Sequence, residues 1–405
     1  MPRRLSQLII AALAGLAPTL TLSQPARAAT EKVLYSFTGT SDGNGPNAAV
    51  IFDAAGNLYG TTEEGGSTGS GVVFKLAPGS GGTWSESVLY SFAGETDGYA
   101  PAGSLVFDGA GNLYGTTYGG GSEGGGTVFK LTPTTSGPWT KTILLNFTGA
   151  NGSAPQANLI FDAAGNLYGT TENGGSLEGG TVFQLVPGTG GAWTQNILFN
   201  FPITSGGNQA SPAAGLVFDS SGNLYSTALY GGSRGLGNVF ELSPSGSSWT
   251  IKNLRTFVGS PDGEYPEASV IFDSAGNIYS TTVAGGAGTC NCGTVFRLKP
   301  SGAGWREKVI HSFGGTPGSF PGAGLVLDSA NNLYGVTYET STRLGGSAFK
   351  INLTTGAFTT LHTFGSAGDG EGPLGTLIFD SAGNLYGTTV FGGALGGGTI
   401  YEITP

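Results

Sequence analysis

The chain has 405 residues, including 76 glycines, with only 10% charged residues and a formal net charge of −10. An acidic, charge-poor protein makes a poor nucleic-acid binder, because phosphate contacts need a basic face. A single methionine and no Lys-Glu patterning argue against long helices, whereas abundant glycine with β-branched residues suits short strands joined by tight turns.

Residues 1–28 begin with Arg3 and Arg4, continue through an apolar stretch at residues 8–22 and end on Ala26-Arg27-Ala28, a small-x-small cleavage site. This is the pattern of a secretory signal peptide. The alternative, a membrane anchor, is opposed by Gly15 and Pro18, which interrupt a run already short for a bilayer. No later segment is as apolar. The expectation is therefore a secreted, extracellular or periplasmic protein with no membrane span once the leader is removed. Loss of the three leader arginines leaves 13 basic residues against 26 acidic ones.

From residue 29 to 405 the chain is one repeat array. The stretch Asp53-Ala54-Ala55-Gly56-Asn57-Leu58-Tyr59-Gly60-Thr61-Thr62 returns with its aspartate at Asp108, Asp162, Asp219, Asp273, Asp328 and Asp380, 52 to 57 residues apart. A fixed period of this length means a solenoid, a propeller or an array. The first period carries four strand-like runs, at residues 49–52, 57–62, 72–76 and 84–92. Between the first two, the aspartate side chain can bond the amides of its own hairpin turn while Gly or Asn takes φ > 0. The third run repeats around Phe74, Phe129, Phe183, Phe240, Phe296, Phe349 and Tyr401. The fourth ends at Phe37, Phe92, Phe147, Phe201, Phe257, Phe313 and Phe364. Columns fixed at one depth of every unit are core positions.

The array starts and ends out of phase. Residues 31–37 are a fourth strand with no preceding three, and residues 398–405 are a third strand with no fourth. Placing residues 31–37 beside residues 399–403 completes a seventh sheet and closes a ring without a long exposed edge. The predicted fold is an all-β, seven-bladed β-propeller with four-stranded blades. Ala48-Ala49, Gly103-Ser104, Ala157-Asn158, Ala214-Gly215, Ala268-Ser269, Ala323-Gly324 and Gly375-Thr376 open the first strands and are mostly small, as a narrow axis requires.

The units Gly-Asn-Leu-Tyr-Gly-Thr-Thr, Gly-Thr-Val-Phe-Lys-Leu and Leu-Tyr-Ser-Phe, with Asp-Gly and Pro following, resemble the GloVer tandem repeat (Gloeobacter and Verrucomicrobia type) of exported bacterial proteins. The resemblance covers essentially the whole mature chain. It implies export and repetition, and it carries no assigned activity. Members of that family often end in a surface anchor, whereas this chain stops at Pro405 on a strand, so a released protein is expected.

Two loop sets are expected to share one face. The fourth-to-first loops carry Asp42, Asp97, Asp262 and Asp369, each beside glycine, and all seven keep a proline, from Pro46 to Pro373. Four carboxylates on one rim suit a cation such as calcium, or sugar hydroxyls; Asp-Gly is equally an ordinary turn pair. The loops after Thr-Thr vary: Glu63-Glu64, Tyr118, Glu172-Asn173, Tyr230, Tyr338-Glu339 and Phe391. Variation on a fixed frame reads as a recognition surface or as unconstrained loop. Trp84, Trp139, Trp193, Trp249 and Trp305, with Phe358 as their equivalent, read as blade-edge covers, with sugar stacking as the other reading. His311 and His362 occupy a strand column and read as packed. Cys290 and Cys292, in one loop, form a local disulfide or remain thiols.

No nucleophile elbow, zinc-protease motif or phosphate loop is present, and no catalytic residue is assigned. The leading reading is a monomeric, non-enzymatic module, without a cofactor, that binds an extracellular protein or glycan. The alternatives are a hydrolase or lyase using loop-face carboxylates, and a structural surface protein.

Overall fold

The structure is a computed structural model and describes residues 28–135, 137–203, 210–302, 304–339 and 345–405. Of the expected leader, residues 1–28, only Ala28 falls within these residues. The described chain is all β, with three short 3-10 turns and no α-helix. No helix among the described residues is long and apolar enough to cross a membrane.

Seven four-stranded antiparallel sheets follow one another as the blades of a β-propeller. Blade 1 contains Ile51–Phe52, Leu58–Thr62, Val72–Pro78 and Trp84–Ser91, and blades 2 to 6 repeat this order. Blade 7 takes Ile378–Phe379, Leu385–Gly392 and Thr399–Thr404 from the end of the chain and its outermost strand, Thr30–Ser36, from the beginning. The closing pair is antiparallel, from Thr30 opposite Thr404 to Ser36 opposite Thr399, as the phase of the repeats predicts. The innermost strands are shorter than their apolar runs. Only Ile51 and Phe52 pair, with Tyr59 and Leu58, because the preceding residues turn to the axis, where the Ala49 amide donates to Ser104 Oγ of blade 2 at 3.0 Å.

The repeated motif explains itself locally. Asp53 Oδ1 accepts from the amides of Ala55 and Asn57 at 2.9 Å, and Oδ2 accepts from Asn57 Nδ2 (2.7 Å) and the Tyr59 hydroxyl (3.0 Å). The same four bonds recur at Asp108, so Asp, Asn and Tyr are one unit. Gly60 lies opposite Phe74 in the register, and a Cβ there would meet the Phe74 ring at 2.6 Å, so the aromatic ring occupies the space of the missing side chain. In blades 4 and 5 the position is taken by Ser226 and Ser280, whose hydroxyls donate to first-strand carbonyls.

The core lies between blades. Each fourth-strand phenylalanine meets the third-strand aromatic of the following blade, from Phe37 on Phe74 (5.1 Å between ring centres) to Phe364 on Tyr401 (4.7 Å). Trp139 and Trp193 cover the preceding blade's Tyr59 and Tyr114 at 6.3 and 6.2 Å, a blade-edge role. Burying one such aromatic side chain contributes about 2–3 kcal/mol.

Candidate functional site

The two expected loop sets do lie on one face, because they pair with each other. Asn44 bridges Glu64, Tyr99 bridges Gly119, Ser153 bridges Asn173 and Ser319 bridges Glu339; Gly263–Glu264 pairs with Ala284–Gly285 in blade 5. The residue before each of the seven repeated prolines sits in the left-handed region: φ is 50° at Ala100, 55° at Ala154, 51° at Ser211 and 58° at Tyr265 and Phe320, with glycine at the other two. That conformation is unfavourable for a residue with a side chain and is held by its surroundings. The Ala100 amide donates to the Ser70 carbonyl of the preceding blade (3.1 Å), and its carbonyl accepts from the Tyr118 amide (2.9 Å). This clasp turns the residue after each proline toward the axis.

Those post-proline residues, Asn47, Ala102, Gln156, Ala213, Glu267, Gly322 and Leu374, ring the mouth of the central channel. Behind them the small pairs expected at the axis line an open polar cavity of about 120 Å³. Toward the opposite face it gives way to a larger, apolar one of about 360 Å³, lined by Ile51, Val106, Ile160, Val217 and Ile271. The mouth is therefore the polar end of a narrow bore.

Glu63, Glu172 and Glu267 supply its charge. Glu63 Oε1 accepts from Asn47 Nδ2 at 2.6 Å, and Glu172 Oε2 from Gln156 Nε2 at 3.0 Å, so loop carboxylates are held by post-proline amides. Burial, with the neighbouring charge of Glu64, raises the Glu63 pKa above the usual range despite the Asn47 bond. Burial raises Glu172, and a bond from Ser211 opposes the shift. Glu267 lines the mouth and is reached by solvent; desolvation by the surrounding wall and then the Glu172 charge raise its carboxyl. Aromatic residues alternate with these acids. Burial and then the Glu172 charge raise the Tyr118 hydroxyl; burial, Tyr265, Glu172 and Glu267 raise that of Tyr230. Tyr230 packs edge-on against Tyr265 at 5.6 Å. One arc thus runs Tyr118, Glu172, Tyr230, Glu267 over blades 2 to 5. Tyr99, Tyr118 and Phe391 stay about 40% exposed, unusual for aromatics of this size.

The remaining candidates lie elsewhere on this face. Tyr338, of blade 6, lies over Gly372 beside Phe391 of blade 7. Glu64 holds Asn44 Nδ2 at 2.8 Å, while Asn173 and Glu339 take part through their backbones. Asp42, Asp97, Asp262 and Asp369 stand apart from the axis, each against an outermost strand. Asp42 accepts from the Tyr35 hydroxyl and the Thr38 amide at 2.9 Å; Asp97 binds the Tyr90 hydroxyl and Lys141 at 2.8 Å. Asp262 takes Arg255 at 2.6 Å, and Asp369 takes His362 at 2.9 Å. Their partners are the turn and the blade interface, so they do not converge into one four-carboxylate site. His311 stacks on Phe358 at 4.2 Å, and burial lowers its pKa. Cys290 and Cys292 are joined as a disulfide.

Sequence reasoning missed Asn47, Gln156, Glu267, Tyr265 and Tyr99. Aligning the residues on either side of the seven prolines would have found the first four, because proline fixes the chain direction at one point in every unit.

A solved structure of a 6-phosphogluconolactonase candidate from Bacteroides uniformis is 15% identical, covers 82% of this chain and 88% of its own, and superposes with a TM-score of 0.54, a likeness of fold. A protein of unknown function from Dyadobacter fermentans is 14% identical over 93% of this chain and 98% of its own, with a TM-score of 0.47. No curated protein matches. The family model for the Gloeobacter/Verrucomicrobia repeat matches residues 19–227 and 211–405, so the repeats that build the blades are those of that family, and the chain belongs to it.

Proposed function

We propose that the protein is an exported, non-enzymatic binding module whose channel mouth recognises a neutral glycan. The observation that carries this reading is the arc in which Glu267 lines the mouth, Glu172 is bonded to Gln156 of the same lining, and Tyr118 and Tyr230 lie within reach of the Glu172 charge. Carboxylates accept from vicinal sugar hydroxyls, tyrosine rings stack against the apolar faces of pyranose rings, and an acidic mouth in an acidic protein repels anionic ligands. The leader-like pattern of residues 1–28 supports a partner outside the cytoplasm. Incubating the leader-free protein with a panel of neutral and charged glycans tests this. Retention on neutral polysaccharides is expected, and uniform failure to bind across the panel would sink the reading.

A hydrolase is the second reading, favoured by Glu267, whose carboxyl is raised by burial and by Glu172 beside it. Two neighbouring carboxyls, one raising the other, are the residue types that general acid and base catalysis uses. Release of reducing ends from any bound polysaccharide distinguishes it from simple binding.

A further inference from the structure

Four blade interfaces carry the same three-part polar station: the residue two before the fourth-strand phenylalanine, a loop aspartate, and a side chain from the next blade's fourth strand. Between blades 1 and 2, Tyr90 and Lys141 hold Asp97. Between blades 4 and 5, two acids share one permanent cation, with Arg255 at 2.6 Å from Asp262 and 2.9 Å from Glu307. Between blades 7 and 1, Tyr35 and Asp42 face Glu86. Between blades 6 and 7, two acids again meet, Asp369 and Glu31, but a histidine, His362, stands where blade 4 places its arginine.

This last station has the form of a ligand set. One donor atom from each of Glu31, His362 and Asp369 lies within 4.8 Å of the other two. Glu31 Oε1 is removed from solvent and accepts no hydrogen bond among the described residues. Asp369 is oriented by the Gly370 amide, 2.7 Å from Oδ1, which leaves Oδ2 toward His362. An ion ~2.1 Å from each donor needs donors ~3.4 Å apart in tetrahedral geometry, within reach of side-chain rotation. An imidazole nitrogen with two carboxylate oxygens suits a borderline transition metal, whereas calcium takes six to eight oxygens.

We propose that Glu31, His362 and Asp369 bind one divalent transition-metal ion of the zinc class at the seam where the propeller closes. Glu31 lies on the strand from the chain's beginning and His362 on the sixth blade, so the ion ties the closing strand to the blade beside it. The fourth coordination position goes to water. An ion at Nε2 requires the ring hydrogen of His362 to sit on Nδ1, so the hydrogen bond between Nε2 and Asp369 Oδ2 is given up when the ion binds.

The test uses the leader-free protein stripped with a chelator and titrated with Zn²⁺ by calorimetry, and with Co²⁺ by visible absorption. One equivalent is expected to bind, with a Co²⁺ spectrum showing nitrogen coordination and a Tm raised by several degrees in Zn²⁺. His362→Gln, which retains a hydrogen bond to Asp369, and Glu31→Gln should each abolish uptake with circular dichroism unchanged, whereas Glu86→Gln should retain it. If one variant fails to fold, the other decides. Absence of uptake at about tenfold excess of metal, or uptake that survives both substitutions, overturns the proposal.

Discussion

The Thr388 hydroxyl donates to the Ala48 carbonyl at 3.1 Å, joining blade 7 to blade 1 across 340 positions of the chain. The same bond joins consecutive blades through Thr170 and Ala214, Thr227 and Ala268, and Thr281 and Ala323, at 3.1 to 3.3 Å. Closure at the axis is therefore chemically the same as any other interface, while closure at the periphery needs the strand Thr30–Ser36. Phe37, fully buried against Phe74, follows that strand. Phe37→Ala should cost about 3–5 kcal/mol by the cavity it leaves, and a urea melt should show a fall in midpoint at unchanged slope.

The hairpin aspartates should be stability residues. Asp108→Ala removes four bonds and leaves the buried Asn112 side chain and the Tyr114 hydroxyl without their acceptor, so a loss of about 1–3 kcal/mol is expected. Asp162→Ala should lose a similar amount, because its bonds are the same. Thermal denaturation of the two variants measures both values, and unequal losses would refute the equivalence of the units.

Lys141 has a side chain only 4% exposed and is paired with Asp97. Lys141→Met leaves Asp97 without its cation and should destabilise by about 3 kcal/mol; adding Asp97→Asn should recover part of that loss. A double-mutant cycle read by chemical denaturation gives the coupling directly.

Burial, then the Asp42 charge, push the Glu86 carboxyl up to about 7. The folded protein therefore holds a proton that the unfolded chain, with its ordinary carboxyl at 4.5, gives up earlier. Stability contributed by this group is complete below the unfolded value and falls as pH rises through about 7. Glu86→Gln should flatten that slope and be more stable than the parent above pH 7, by about 1 kcal/mol once the partial exposure of the carboxyl is allowed for. Tm measured from pH 4 to 9 tests the sign, and a parent that gains stability over that interval contradicts it.

At the mouth, Tyr118→Ala and Glu172→Gln should each weaken glycan retention about tenfold. Tyr118→Ala should leave Tm within about 2 °C of the parent, because its ring is exposed and carries little packing. Exposed Leu395, on the blade 7 loop that follows Leu385–Gly392, supplies the control: Leu395→Ala should not change retention.

Seven blades, their strand order and the out-of-phase ends were legible because each rests on a repeated column, as at Asp53, Phe74 and Phe92. The mouth was legible only in part. Glu63, Glu172, Tyr118 and Tyr230 stand out as departures from the repeat, but nothing local marks Glu267 or Gln156, whose place depends on a left-handed residue before proline. Asp42 and Asp97 look alike in sequence to rim ligands. Their role as anchors of the fourth strand depends on Tyr35, Tyr90 and Lys141, one to two strands away and, for Lys141, in another blade.

The clasped turns have an evolutionary consequence. Each blade delivers one interchangeable side chain to the opening just after a proline, and the scaffold behind it rests on other residues. A single codon change at position 102, 213 or 322, where Ala102, Ala213 and Gly322 now stand, would repaint one seventh of the aperture and leave the blades intact. New specificities can therefore accumulate there one sector at a time.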